Sequence, residues 1–188
     1  VREFEWKRKG VHLGAIVLPI LYYLLPVPVG RACLLALTGI VIILDVVRLR
    51  HSTAHSIFVL VFGPVIRRHE VWSLTGATYL LFSSLICVFV YDKPVAVAAI
   101  SFLVLGDLMA AIVGTRWGRV RVWGKTIEGA VACFVTCLIV VWVIPELSLR
   151  VGLAGALVAA VVEIVPVPLD DNLSIPLMSG LAMQLLTL

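Results

Sequence analysis

The sequence predicts an all-α protein, a polytopic membrane bundle of about seven transmembrane helices with one short interfacial segment. Three observations predict it. Hydrophobic residues fill 62% of the 188 positions and mean hydropathy is +1.13, far above the roughly half-apolar composition of soluble domains. Apolar runs recur along the whole chain, each close to the length that crosses a hydrocarbon core of about 30 Å. Prolines or short charged clusters end nearly every run, as helix stop signals do.

The opening VREFEWKRKG is basic and aromatic and is expected at a membrane surface. An apolar run over residues 12–25 follows and stops at Pro26 and Pro28. No small-residue cleavage site follows it, so it reads as a retained helix and not as a signal peptide. Residues 29–47 form the second run, and Asp45 with Arg48 reads as an interfacial i,i+3 pair. Residues 48–72 are less uniformly apolar, contain Pro64, and read as a surface-lying or re-entrant segment. His51 and His55 stand there at i,i+4 with no neighbouring acid, which favours solvated histidines over metal ligands. Further runs cover residues 74–91, 95–113, 127–144, 150–163 and 175–188, separated by Asp92-Lys93-Pro94, a cationic Gly-rich loop, Pro145, and Asp170-Asp171-Asn172. The four cysteines lie in apolar runs without a CxxC pair and read as small buried hydrophobes. No repeat or low-complexity tract divides the chain, so residues 1–188 read as a single integral-membrane domain.

With seven crossings, Arg2, Lys7, Arg8, Lys9, Arg48, Arg50, Arg67, Arg68, Arg116, Arg119, Arg121 and Lys125 share one face, twelve of the fifteen Lys and Arg. Only Arg31, Lys93 and Arg150 fall on the other. The positive-inside rule then makes the rich face cytoplasmic, together with the N-terminus.

The chemistry-bearing residues gather on that face. Between Gly106 and Gly129 the chain places Asp107 in an apolar helix, then Arg116, Arg119, Arg121 and Lys125 in a Gly-rich loop, then Glu128 at the next helix start. Asp107 is expected roughly 12 Å below the loop on a straight helix, where an unpaired carboxylate is costly and marks a functional candidate. Its face carries Ala110, Ala111 and Gly114, which suit close helix packing or ligand space equally. Gly124-Lys125-Thr126 is not a Walker A loop: five residues separate Gly118 from Gly124, and no strand precedes it. Backbone N–H groups at that helix start, with Lys125 beside them, still favour an anionic oxygen, although the cations also serve as topology determinants. Asp170, Asp171 and Asn172 offer oxygens to a hard divalent cation or an N-cap, and Glu163 stands in an otherwise apolar helix.

These pieces resemble a family of small polytopic membrane enzymes, the CTP-dependent lipid-alcohol kinases (dolichol kinase, phytol kinase and diacylglycerol kinase types). The matching pieces, in order, are Arg8-Lys9 with His12, Arg67 to Glu70 running into Leu74-Thr75-Gly76-Ala77, Gly106-Asp107 with Ala110, Ala111 and Gly114, Gly124-Lys125-Thr126 with Glu128-Gly129, and Glu163 with Asp170-Asp171-Asn172 and Ile175-Pro176. The resemblance implies transfer of the terminal phosphate of CTP to a polyprenol, phytol-like alcohol or diacylglycerol at the cytoplasmic face. It implies Mg²⁺ or another divalent cation, with the bilayer, CTP and a lipid alcohol as partners and no nucleic acid.

Phosphoryl transfer rests on positioning and charge stabilisation. Asp107, Lys125 and Asp171 are the catalytic candidates. Lys9, His12, Gly124, Thr126, Glu128 and Asn172 are the nucleotide-binding ones, and Asp107, Asp170, Asp171 and Glu163 the metal ligands. Two other readings stay open: a CDP-lipid synthase, whose histidine- and arginine-bearing acidic signature is not evident, and a small ion-coupled transporter using Asp107 and Glu163.

Overall fold

A computed structural model describes residues 9–187. The basic surface segment expected before Lys9, Arg8 included, lies outside the described residues, as does Leu188. Among the described residues there are eight helices: α1 (Lys9–Leu24, with a turn at residues 15–16), α2 (Val27–Arg50), α3 (Ser52–Phe62), α4 (Gly76–Val90), α5 (Lys93–Trp117), α6 (Ile127–Val143), α7 (Leu149–Ile164) and α8 (Asp171–Leu185). The only strands there, β1 (Arg121–Val122) and β2 (Lys125–Thr126), form a small antiparallel hairpin between α5 and α6.

The all-α expectation stands, but the seven-crossing bundle is overturned. Only α2, of 24 residues, and α5, of 25, are long and apolar enough to cross a membrane. The cause is helix length. Proline, polar caps and turns trim the other apolar runs, so that α4 has 15 residues, α6 17, α7 16 and α8 15. At 1.5 Å per residue the longest of these reaches about 25 Å, short of a core of about 30 Å. Two spanning-length helices fit membrane association. The assignment of basic residues to one face, counted over seven crossings, falls with that count.

Helix starts follow local chemistry. Thr75, Thr126, Ser148 and Asp170 each accept a backbone N–H in the first turn of α4, α6, α7 and α8, as N-caps do. Pro94 stands at the first turn of α5, where its missing N–H costs nothing. The first half of α5 is the centre of the core: Ala96, Ala98, Phe102, Leu103 and Val104 are fully enclosed. Across residues Phe102–Gly106 α5 changes to π-helical hydrogen bonding, immediately before Asp107. Gly106 lies so close to α6 that a Cβ would stand 2.9 Å from the Cys133 sulfur, and one at Gly129 would stand 2.8 Å from the Ala110 carbonyl oxygen. The small residues beside Asp107 therefore serve close packing of α5 on α6. The cysteines are free; Cys87, Cys133 and Cys137 are buried as expected, whereas Cys33 is exposed.

The segment read as interfacial contains α3 and a 3₁₀ turn at His69–Val71, held by a buried ion pair. Asp45 and Arg48, far from being surface groups, are 4% and 3% exposed. Arg48 Nε donates to Asp45 Oδ1 at 2.6 Å, and its terminal nitrogens donate to the carbonyl oxygens of Glu70, Val71 and Ser73. Asp45 Oδ2 accepts from the Thr75 backbone N–H at 2.9 Å and from the hydroxyls of Thr75 and Thr78. The pair thus fastens the 70–75 loop to α2 and fixes where α4 begins. His55 stacks on Trp72 with ring centroids 4.3 Å apart, on the same side of the loop. Arg48→Met, which strands the Asp45 carboxylate, is expected to lower stability by about 3–5 kcal/mol, measured by denaturant unfolding in detergent micelles.

Candidate active site

The turn after α5 is set by its backbone. Arg121 pairs with Thr126 and Val122 with Lys125, and the two residues between, Trp123 at φ 49° and Gly124 at φ 87°, are both left-handed. That is the type I′ hairpin geometry, in which Asn-Gly is the ordinary choice. A bulky residue at the first position is an outlier, and the Trp123 ring projects outward, 68% exposed. The hairpin delivers Lys125 inward. Its ammonium donates to the Glu163 backbone oxygen, lies 3.7 Å from Glu163 Oε1, and donates to Asp171 Oδ2 at 3.0 Å. One cation thus gathers the end of α7, the start of α8 and the hairpin.

A second pair stands beside it. Lys9, 8% exposed, donates to Asp107 Oδ2, and His12 Nε2 lies 3.7 Å from the same oxygen and 3.5 Å from the Leu103 carbonyl oxygen in the π-helical stretch. Lys9 and His12 are adjacent on α1 because they are three residues apart. The two groups form one electrostatic neighbourhood, since Lys125, Asp107, Asp171 and Lys9 all act on the Glu163 carboxyl. Glu163 is 6% exposed and its Oε2 is buried without a hydrogen-bond partner. An orphaned carboxylate oxygen is costly, and here it faces a site built of alternating charges.

The remaining expected residues are engaged differently. Asp170 accepts from Asn172 N and Nδ2 and from Arg67 Nη1 at 3.1 Å, while Glu70 Oε2 accepts from the Arg67 backbone N–H. Asn172 is held against α4, where the Ser83 hydroxyl donates to its carbonyl oxygen and a Cβ on Gly76 would lie 3.1 Å from its amide nitrogen. Thr126 caps α6, and Gly124 forms the hairpin turn. Glu128 accepts from the backbone N–H groups of Arg119 and Val120 at 3.0 and 3.2 Å. It also borders an open cleft of about 500 Å³ with Arg116, Trp117, Gly118 and Arg119. Of the expected nucleotide-binding residues, Glu128 alone lines this cleft.

The four expected metal ligands do not converge, and among the described residues no three His, Cys, Asp or Glu side chains are grouped to hold a metal ion. Of the four, only Glu163 and Asp171 share a neighbour, and it is a cation that already meets the charge a divalent ion would meet there. Both carboxylates meet the Lys125 ammonium, and Glu163 Oε2 has capacity to spare. Asp170 is committed to Arg67 and Asn172, and Asp107 to Lys9. Sequence reasoning missed Arg67 as the partner of Asp170, and Glu70 as the acid beside Arg67. Their signal was faint, a charged cluster at the end of an apolar run.

No family model matches the chain, and no solved structure matches it. Distant relatives do. An uncharacterised protein of Rickettsia prowazekii is 27% identical over 185 residues, covering 93% of this chain and 91% of that protein. The CTP-dependent diacylglycerol kinase 1 of Saccharomyces cerevisiae is 25% identical over 173 residues, 77% of this chain and 60% of the yeast protein. A probable chloroplastic phytol kinase 1 of rice is 32% identical over 133 residues, 60% of this chain and 42% of the plant protein. The chain is therefore distantly similar to CTP-dependent diacylglycerol and phytol kinases, and it spans less than two thirds of the Saccharomyces protein and less than half of the plant one.

The hydrogen bond from its own backbone N–H, then those from Arg119 and Val120, hold the Glu128 carboxyl below the usual range, outweighing its slight desolvation. A carboxyl lowered on folding stabilises above its unfolded pKa and loses that contribution as pH falls through the lower, folded value. Wild type is expected to lose stability relative to Glu128→Gln on acidification from about pH 5 to pH 3. Parallel thermal melts of the two proteins across that range check it.

Proposed function

We propose that the chain is a lipid-alcohol kinase that transfers the terminal phosphate of CTP to the hydroxyl of a membrane lipid alcohol, either an isoprenoid alcohol of polyprenol or phytol type or diacylglycerol. In this reading residues 1–188 act as one integral-membrane domain anchored through α2 and α5, with the site on the cytoplasmic side. The observation that carries it is the charge-alternating cluster of Lys9, Asp107, Lys125, Glu163 and Asp171 with its orphaned Glu163 oxygen. The distant likeness to CTP-dependent diacylglycerol kinases and a probable phytol kinase supports it.

The reaction joins the lipid hydroxyl oxygen to the terminal phosphorus, breaks the bond to the bridging oxygen, and releases CDP. Asp107 accepts the hydroxyl proton, and Lys9 and His12 keep that carboxylate oriented. Lys125 offsets charge on the transferring phosphate, as a point cation does. Asn172 and Glu128, with the backbone around Gly124 and Thr126, hold the nucleotide. A divalent cation would supply charge neutralisation at the phosphate oxygens.

Purified protein in liposomes with Mg²⁺, γ-labelled CTP and a panel of lipid alcohols is expected to pass label into the lipid phase. Asp107→Asn is expected to lower kcat by about 100-fold or more, and Lys125→Met comparably, each assayed well below its own unfolding midpoint, which loss of the ion pairs lowers. Absence of transfer from any nucleotide to any lipid by folded protein would sink the reading. Pyrophosphate release with formation of a CDP-lipid would replace it with the synthase reaction.

A further inference from the structure

One apolar feature stops within two residues, along the chain, of this cluster. On α6, Ile127, Ala130, Val131 and Phe134 follow the i, i+3, i+4, i+7 spacing of a single helix face. On antiparallel α7, Leu157, Ala160, Val161 and Ile164 repeat that spacing in the opposite direction, so Ile127 stands level with Ile164 and Phe134 with Leu157. Between the two stripes runs a trough of about 250 Å³. Ala130 and Ala160 give it depth because their short side chains leave the gap between the helices unfilled. Ile127, Val131, Leu157 and Val161 are exposed and form its rims, while Phe134 packs on the core. Seven residues of helix give the trough a length of about 10 Å.

Its two ends differ in chemistry. At one end, Ile127 follows Lys125 by two residues and Ile164 adjoins Glu163, whose backbone oxygen accepts from the Lys125 ammonium. At the other end the lining is apolar throughout. A ligand matching both ends carries a polar group at one terminus and a flexible hydrocarbon chain behind it.

We infer that the trough between α6 and α7 is the binding site for the hydrocarbon tail of the lipid alcohol, lying so that the hydroxyl enters the charged cluster at its Lys125–Glu163 end, toward Asp107. This rests on the kinase reading for the identity of the head group. The tail enters sideways from the bilayer, and the walls on α6 and α7 select its length and branching near the hydroxyl. Ala130 and Ala160 are the specificity-determining positions.

A farnesol-type isoprenoid alcohol with a diazirine at its tail, photolysed with the full chain in liposomes, tests this without requiring turnover. Label is expected on residues 127–134 and 157–164, reduced by excess unlabelled isoprenoid alcohol but not by phosphatidylcholine. Equal labelling of the exposed face of α2, or no competition, would mean ordinary lipid contact and overturn the site. Chain-to-chain cross-linking through the trough would give the surface to a second copy and also overturn it. Ala130→Phe and, separately, Ala160→Phe are expected to lower the preference for a long-chain over a short-chain alcohol, read as the ratio of kcat/KM values, by about tenfold or more. An unchanged ratio in an active variant removes the trough and leaves the kinase standing. Competed labelling by a wild type that transfers no phosphate removes the kinase and leaves the trough.

Discussion

The ammonium group of Lys125 joins three parts of the chain that are far apart in sequence. It reaches from a two-residue strand to the last turn of α7 and the first turn of α8, thirty-eight residues away in one case and forty-six in the other. A lysine drawn partly out of solvent, its side chain 32% exposed, needs carboxylates and carbonyl oxygens to replace its water. Glu163 and Asp171 do so, and their convergence in turn requires α7 and α8 to pack closely. Gly155, where a Cβ would stand 2.4 Å from Met183 Cγ, lets them. The charged corner and the tight helix packing are thus the same constraint seen from two sides.

Charge pairing is also what organises the opposite end of the chain. The Asp45–Arg48 pair satisfies three loop carbonyl oxygens and one loop N–H. Because the 70–75 loop leads into α4, and α4 meets Asn172 through Gly76 and Ser83, the pair sets the position of the 170–172 corner from behind. Arg67 closes that route by bridging to Asp170. Removing water from these groups makes each contact stronger and each vacancy more costly, so a defect in the loop is transmitted to the corner.

The helices were legible because their signals are local. Apolar runs end at Pro26, Pro94 and Pro145, and Thr75, Thr126, Ser148 and Asp170 begin the helices they cap. The number of crossings was not, since an apolar run and the helix formed from it differ in length once caps and turns take their share. Asp45 with Arg48 read as a surface pair for a similar reason: the groups that enclose them, from Glu70 to Thr78, lie more than twenty residues on. Glu163 was conspicuous in an otherwise apolar helix, Lys125 in a cationic Gly-rich loop and Asp171 in a polar break, but nothing in their spacing foretold the contacts they make. The hairpin was hidden because Trp123 occupies a position where a turn residue ordinarily announces itself.

The π-helical stretch at Phe102–Gly106 carries a further consequence. One added residue in a turn re-phases everything after it by about 100° relative to an unbroken α-helix. Lys93 and Asp107 are therefore not on a common rotational clock, and the two halves of α5 have different main neighbours, α1, α4 and α8 before the stretch and α6 after it. Deleting a single apolar residue there would give a more regular helix and a wrong one, because Asp107 would swing away from Lys9. Regularity and correctness are opposed at that point, and a search for more ideal helix sequences would discard the feature first.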